Sequence, residues 1–253
     1  MGFTNSSLVV HTKLSPNNSG KRTAKIDTFT PHVVVGHISL KNLGAWFAKE
    51  STQASSNYGV DDEGQIGLFV EEKNRSWCTS SGVNDHRAIT VEIASDAKHP
   101  YAITNGAMDG LIKLGVDVCK RNGIPKLLWK ADKNLIGKVD QQNITSHRWF
   151  SAKACPGDYL FGRLGEVAEE VNKILVPAAI VVPTSGFPYQ VTVNTEVLHY
   201  RSGPGTKYPI VGQIRKGEVY TIIEEALGLG SSKWGRLKSG AGWIALDYCM
   251  KVR

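Results

Sequence analysis

His147, Lys153 and Cys155 fall in one short stretch, HRWFSAKACPG, residues 147–157. An imidazole nitrogen and a thiolate sulfur are donors that Zn²⁺ prefers, and a loop of this length can fold both back onto one ion. Lys153 lies between them. A cation there gains nothing for a structural ion, which it repels, whereas a catalytic centre can use it to steady a developing oxyanion. A catalytic zinc normally takes three protein ligands and keeps a position open for water. The third ligand is expected to be a histidine from a separate strand. His11 lies in a polar arm, His86 and His99 in polar loops and His199 in the tail. His32 and His37 remain, and periodicity does not choose between them, because five residues apart puts them on opposite faces of a strand.

Glu92 sits in the middle of the β-branched run RAITVEIAS. A carboxylate there is costly unless it alternates outward, pairs with a cation or faces a functional cleft. The pattern leaves solvent-facing alternation and a functional role both open.

The elements that must position these groups are legible in outline. Residues 1–24 are polar and are expected to wrap the surface. KIDTFTPHVVVGHIS is a β-rich run that delivers His32, with Pro31 arguing for an edge position or a strand end. SLKNLGAWFAKE predicts a short helix with Ser39 as N-cap and Leu43, Trp46 and Phe47 on its apolar face. SSNYGVDDEGQIGLFVEE predicts two short strands around Asp61-Asp62-Glu63-Gly64, the first carrying Tyr58. RAITVEIAS predicts an inner strand. Residues 101–122 predict a helix stopped at Asn122-Gly123, and Pro156-Gly157 opens a last helix through Ile174. Cys119 fits plain helix packing, and packing is also the leading reading of Cys78 and Cys249.

The chain has 253 residues and a net charge of +7, which favours an anionic partner. No basic run with interleaved aromatics and no nucleic-acid motif is present, so nucleic acid is not expected as the partner, and an anionic polymer such as a bacterial wall fits the charge equally. No apolar run approaches the ~20 residues of a membrane span, so no stable membrane association is expected. The N-terminus does not read as a secretory signal, which places the protein first in the cytoplasm of the cell that makes it.

HRWFSAKACPG resembles the zinc loop of the amidase family that includes lysozyme-type N-acetylmuramoyl-L-alanine amidases of bacteriophages, anhydro-muropeptide amidases of bacteria and peptidoglycan recognition proteins of animals. In that family a histidine precedes a lysine by six positions and a cysteine or aspartate by eight, and both offsets are met here. SSNYGVDDEGQIGLFVEEKNRSW, NDHRAITVEIAS and RNGIPKLLW are similar to segments of clostridial and phage amidase endolysins and autolysins, over roughly residues 5–175. The resemblance implies an α/β (α+β) catalytic domain, residues 1–175, with a mixed β-sheet flanked by helices. It also implies Zn²⁺ held by His32, His147 and Cys155, because the first ligand of the family ends a run like KIDTFTPH. His37 then becomes a loop or neighbouring residue. The implied reaction is hydrolysis of the amide between N-acetylmuramic acid and L-alanine by a zinc-activated water. Glu92 matches the general base and acid, Lys153 the oxyanion stabiliser, and Tyr58 a tyrosine that assists beside the zinc. The division of labour between Glu92 and Tyr58 stays open. Asn84 is a candidate substrate contact, with an Asn-Asp turn as its alternative. Trp149 and Phe150 depart from the Asp-Tyr pair of close relatives, so a different pocket floor is expected.

The uncharged, proline-bearing stretch at 176–187 reads as a linker. Beyond it, residues 188–253 are short strands punctuated by glycine turns, a small all-β barrel. EVLHYRSGPGTKYPIVGQIRKGEVYTI and WGRLKSGAGWIALDYC resemble a bacterial Src-homology-3-like domain, which implies binding to the cell wall. Tyr200, Tyr208, Trp234 and Trp243 are candidates for wall contact or barrel core. From residue 187 on, nine Lys or Arg face five Asp or Glu, which is +4 of the total +7. The resemblance points to an endolysin acting on Gram-positive, clostridial-type peptidoglycan after holin-mediated release. A bacterial autolysin with the same chemistry and a non-catalytic peptidoglycan sensor are the alternatives, although sensors on this fold lack a ligand equivalent to Cys155. A third reading, structural zinc with nucleic-acid binding, needs a fourth protein ligand that the sequence does not supply.

Overall fold

The computed structural model describes residues 3–175 and 187–252. The expected linker therefore lies outside the described residues, apart from Phe187. The chain divides into two compact units, Met1–Val176 and Pro177–Arg253.

The N-terminal unit is built on a five-stranded mixed sheet. Its strands are β1 (Val9–Thr12), β3 (Thr28–Val35), β4 (Tyr58–Val60), β5 (Ile66–Leu68) and β7 (Ala88–Ser95), in the order β1-β5-β4-β7-β3. β2 (Asn18–Lys21) and β6 (Asn74–Ser76) form a separate antiparallel pair. β7 is an inner strand, parallel to β3 and β4, as its β-branched run predicts. β3 lies at the end of the sheet, which accommodates Pro31: a proline has no N–H to give a second neighbour. β4 and β5 form the expected antiparallel hairpin.

Four helices complete the unit: α1 (Leu40–Phe47), α2 (Gly82–Arg87), α3 (Asn105–Asn122) and α4 (Gly157–Leu175). Ser39 caps α1 by accepting from the Asn42 N–H, and Thr104 caps α3 from the Ala107 N–H. Gly123 ends α3 at φ 66°, a left-handed position that glycine fills without a Cβ penalty. On α1, Leu43 and Phe47 are buried as their spacing predicts, but Trp46 is 44% exposed.

The two faces of the sheet differ in chemistry because side chains alternate along each strand. Phe29, Ile89, Val91, Ile93, Tyr58 and Val60 join a core cluster with Leu111, Leu114, Leu164 and Val171 of α3 and α4. Truncating a ring such as Phe29, fully excluded from solvent, costs about 3–5 kcal/mol. The other face carries Thr30 and His32 on β3, in register with Thr90 and Glu92 on β7. Gly59 of β4 is in register with Glu92. A Cβ at Gly59 would lie 2.5 Å from the Phe69 ring and 2.9 Å from Leu43, so glycine is what lets α1 pack down there. The main hydrophobic core thus occupies one side of the sheet, and the other carries a smaller cluster of Leu40, Leu43, Phe47 and Phe69 beside the polar groups.

The N-terminal arm is not the surface wrapping its polar composition suggests. It supplies β1, which pairs in parallel with β5, and β2. It also buries Arg22, whose guanidinium donates to the Glu72 carbonyl at 2.6 Å and to Asn57 Oδ1 at 2.9 Å. Burial draws the Arg22 pKa down to about 10. Polar composition misleads here because buried groups such as Arg22, Ser15 and Asn17 find partners, which removes most of the penalty for burying them.

The C-terminal unit is a seven-stranded, fully antiparallel sheet. Its strands are β8 (Tyr189–Val193), β9 (Val197–Arg201), β10 (Ile210–Arg215), β11 (Val219–Gly228), β12 (Ser231–Leu237), β13 (Trp243–Ala245) and β14 (Cys249–Lys251). They are ordered β10-β9-β13-β12-β11-β8-β14. The unit has its own core, built on Val191, Leu198, Ile214, Ile222, Trp234 and Ile244. Trp234 is core, at 2% exposure, and Tyr200 and Trp243 pack partly buried against it. Tyr208 packs over Gly203, where a Cβ would lie 2.5 Å from its ring. No described helix is long and apolar enough to cross a membrane.

Candidate active site

The polar face of the sheet and the loop after Thr145 meet in a cleft of about 620 Å³, lined by Cys78, Glu92, His147, Lys153 and Cys155 among others. His32 comes from the middle of β3 and is fully buried beneath them. Donor atoms of His32, His147 and Cys155 all lie within 4.8 Å of one another. The Cys155 sulfur is 3.2 Å from His32 Nδ1, and the two imidazole centroids are 5.0 Å apart. The structure therefore brings His32 to a pair of residues more than a hundred positions further on, and places His32 rather than His37 beside them. The latter sits at the exposed end of β3, bridging Asp62 and Asp96 at 3.0 Å each. Those carboxylates, Asp62 first, hold His37 above its ordinary pKa.

The donor set suits a zinc ion. His32 is held well below its ordinary pKa by burial and then by His147, and burial lowers His147 also. Both shifts favour the neutral ring, the state in which imidazole binds metal. Burial raises the Cys155 thiol, followed by repulsion from Glu92; loss of its proton on coordination is the ordinary route to a thiolate ligand. The Nε2 atoms of His32 and His147 are buried without a hydrogen-bond partner among the described residues. One ion takes a single nitrogen from each ring, and on His32 the nitrogen that faces the Cys155 sulfur is Nδ1, at 3.2 Å.

Glu92 stands beside this set. Its Oε1 is 3.9 Å from His32 Nδ1 and 3.7 Å from the Cys78 sulfur. Its Oε2 has no hydrogen-bond partner among the described residues. The carboxylate does not alternate outward to solvent: it is 17% exposed and lines the cleft. Burial pushes its pKa up to about 8, and a divalent cation at the neighbouring donors would draw it back down. Lys153 is exposed on the cleft wall and helps to keep His147 neutral by charge repulsion.

The loop that carries His147 and Cys155 is laced from within. The Arg148 N–H donates to the Cys155 carbonyl at 3.2 Å. Its guanidinium donates to the Ala154 carbonyl at 2.6 Å and to Asp158 Oδ1 at 2.9 Å. It also lies 4.5 Å over the Phe161 ring. Trp149 stacks on Trp129 with ring centroids 5.1 Å apart. Neither Trp149 nor Phe150 lines the cleft, so the departure at these positions bears on how the loop is anchored rather than on the pocket floor. Arg148 carries no metal-ligand chemistry and its bracing role has no signal in spacing.

Two expected residues are elsewhere. Tyr58 is on the core face of the sheet, in register with Val91 rather than Glu92. Its hydroxyl donates to Glu72 at 2.7 Å and accepts from the Ser6 N–H at 2.8 Å. Burial, then the Glu72 charge, raises its pKa. The structure does not bring it to the cleft, because a one-residue step along a strand reverses the face. Asn84 is buried in α2 and lies outside the cleft lining. It accepts from the Thr145 hydroxyl at 2.9 Å and donates to Thr30 at 3.3 Å. It fastens the segment that leads into His147. Cys78 is the group that sequence reasoning assigned to packing and that lines the cleft instead: with His32 and Glu92 it forms a second cluster of donor atoms within 4.8 Å.

Fold and donor set together define a class: a mixed α/β domain whose sheet and one long loop build a cleft with three converging candidate metal ligands and a neighbouring carboxylate. A sequence profile of N-acetylmuramoyl-L-alanine amidases matches residues 5–158, and the chain belongs to that family. Among solved structures, that of PlyL is 20% identical and covers 64% of this chain and 96% of its own, with a TM-score of 0.49. The PlyG catalytic domain is 20% identical over 70% of this chain and 98% of its own, also at 0.49. The N-acetylmuramoyl-L-alanine amidase LysC from Clostridium intestinale is 14% identical over 61% of this chain and 94% of its own, at 0.39. At these scores the family assignment rests on the sequence profile. No curated protein matches the sequence.

Proposed function

We propose that this protein is a zinc-dependent peptidoglycan amidase that hydrolyses the bond between the lactyl carbonyl of N-acetylmuramic acid and the amine of L-alanine. The observation that carries the reading is the convergence of His32, His147 and Cys155 beside Glu92, on a cleft that also exposes Lys153, in a chain of the amidase family. His32, His147 and Cys155 would hold the ion, which supplies Lewis acidity and lowers the pKa of a bound water toward about 7. Glu92 takes the proton of the attacking water on Oε2, its oxygen without a protein partner, and returns it to the leaving amine. The Lys153 ammonium faces the negative charge that develops on the scissile carbonyl oxygen. Tyr58 has no part in these steps, and Asn84 acts through the loop rather than on substrate.

The C-terminal unit, in this reading, is a Src-homology-3-like wall-binding domain. Its small antiparallel sheet with a separate core supports that assignment, as does its share of the positive charge. Joining a weak wall binder to the enzyme raises the effective substrate concentration. The biological context is an endolysin reaching Gram-positive, clostridial-type walls from the cytoplasm through a holin-permeabilised membrane. Incubation of the zinc-loaded protein with a soluble muramyl peptide tests the chemistry by mass spectrometry. A lactyl-bearing sugar acid and a peptide with a free alanine amine are expected; cleavage within the glycan or within the peptide would overturn the assignment.

A further inference from the structure

Cys78 lines the same cleft as Glu92, and nothing in the proposed mechanism uses it. Its sulfur lies 3.7 Å from Glu92 Oε1, within reach of a thiol hydrogen bond. The turn that presents it is braced. The N–H groups of Cys78 and Thr79 both donate to Asp85 Oδ2 at 3.1 Å, and the Thr79 hydroxyl donates to Asp85 Oδ1 at 2.6 Å. Asp85 is itself buried, and its carbonyl accepts from buried Arg22. The thiol is thus delivered from a fixed position to one oxygen of the carboxylate, while the other oxygen has no partner among the described residues.

We propose that Cys78 is a positioning residue for Glu92, its thiol donating to Oε1 and so leaving Oε2, which is buried and without a partner among the described residues, as the oxygen that meets the attacking water. The proposal rests on Glu92 acting as the base. A carboxylate on a freely rotating side chain spends part of its time misaligned, and one directed donor to the oxygen not used in catalysis removes that freedom at little cost in basicity, because S–H is a weak donor. The thiol is suited to this place: an ammonium or guanidinium donor there would suppress the basicity of Glu92 and repel a metal.

The competing role for Cys78 is that of a further metal ligand, since it also clusters with His32. Full-length wild type, C78S, C78A, E92Q and C78A/E92Q distinguish the two. Each is loaded with zinc, assayed for metal content and thermal unfolding, and followed for kcat and KM on a soluble muramyl peptide. C78A is expected to lower kcat about three- to tenfold with KM unchanged. Its zinc content should equal that of wild type. C78S, which retains a donor on a shorter arm, is expected to recover part of the loss and guards against a folding defect in C78A. In the E92Q background, C78A is expected to cause no further loss, because its effect passes through Glu92. Reduced zinc content in C78A or C78S would make Cys78 a ligand and overturn the proposal. So would an unchanged kcat in C78A, or an equal fold-loss with and without the Glu92 carboxylate. Failure of the wild-type protein to cleave the substrate would instead overturn the amidase reading itself.

Discussion

Tyr58→Phe separates the two roles this residue could have. The change removes one hydroxyl that donates to Glu72 at 2.7 Å and accepts from the Ser6 N–H at 2.8 Å. Glu72 is fully buried and keeps Arg121 at 2.6 Å, so the substitution leaves it one hydrogen bond short without stripping it of partners. Loss of a hydrogen bond to a charged group costs about 1.5–3 kcal/mol, and the orphaned Ser6 N–H adds roughly 1 kcal/mol unless water reaches it. A total of about 2.5–4 kcal/mol, at roughly 2–4 °C per kcal/mol for a unit of this size, lowers the melting temperature of the N-terminal unit by about 5–16 °C. Calorimetry reads that shift. Initial rates, taken where both proteins are folded, should give kcat and KM within about twofold of wild type, because the hydroxyl is on the sheet face away from the cleft. A loss of kcat of more than about tenfold with an unchanged melting temperature would refute the placement and return Tyr58 to the reaction.

Other consequences follow from the same geometry. Glu92→Gln should lower kcat by about 10²–10⁴ while zinc content stays at the wild-type level, since the proposed mechanism makes Glu92 a base and not a ligand; a fall in bound zinc would contradict this. Asn84→Ala removes the acceptor that holds Thr145 and should weaken zinc affinity by about 10–100-fold in a chelator competition. Its kcat at saturating zinc should change less, and the reverse pattern would mark Asn84 as a substrate contact. His37 should titrate by NMR above the ordinary histidine pKa of about 6.5, and His37→Gln should leave zinc content unchanged. Because its folded pKa is raised, the stability it contributes is fully present below the unfolded value and is lost as pH rises through the folded one. A pH dependence of stability identical in His37→Gln would deny it that contribution.

The parts of this fold that were legible in sequence are those in which local chemistry and tertiary demand agree. Pro31 marks an end strand, Ser39 a cap and Gly123 a stop, and the run around Glu92 an inner strand. The His147–Cys155 loop carried its offsets on its face. What spacing did not carry is which side of the sheet a strand residue takes. Tyr58 and Gly59 differ by one position, and only register against β7 puts the second beside Glu92 and the first in the core. The arm before Lys25 was misjudged because its polar residues are buried with partners far away in sequence, Arg22 on Glu72 and Asn57 among them. Cys78 and Asn84 are not legible in sequence for a related reason. A thiol reads as packing and an Asn-Asp pair as a turn or a substrate contact until the contacts with Glu92 and Thr145 are known.

In the proposed function this chain cuts the muramyl–alanine amide with a zinc ion held by His32, His147 and Cys155. Digestion of purified Gram-positive walls, before and after chelation and again after zinc is restored, tests it most directly when new N-terminal alanine and new reducing sugar are followed together. Alanine amine released without reducing sugar, abolished by chelation, recovered with zinc and absent in Cys155→Ser, is the predicted result. Wall binding without bond cleavage in a protein verified to contain zinc, or alanine release that survives complete removal of the metal, would contradict it.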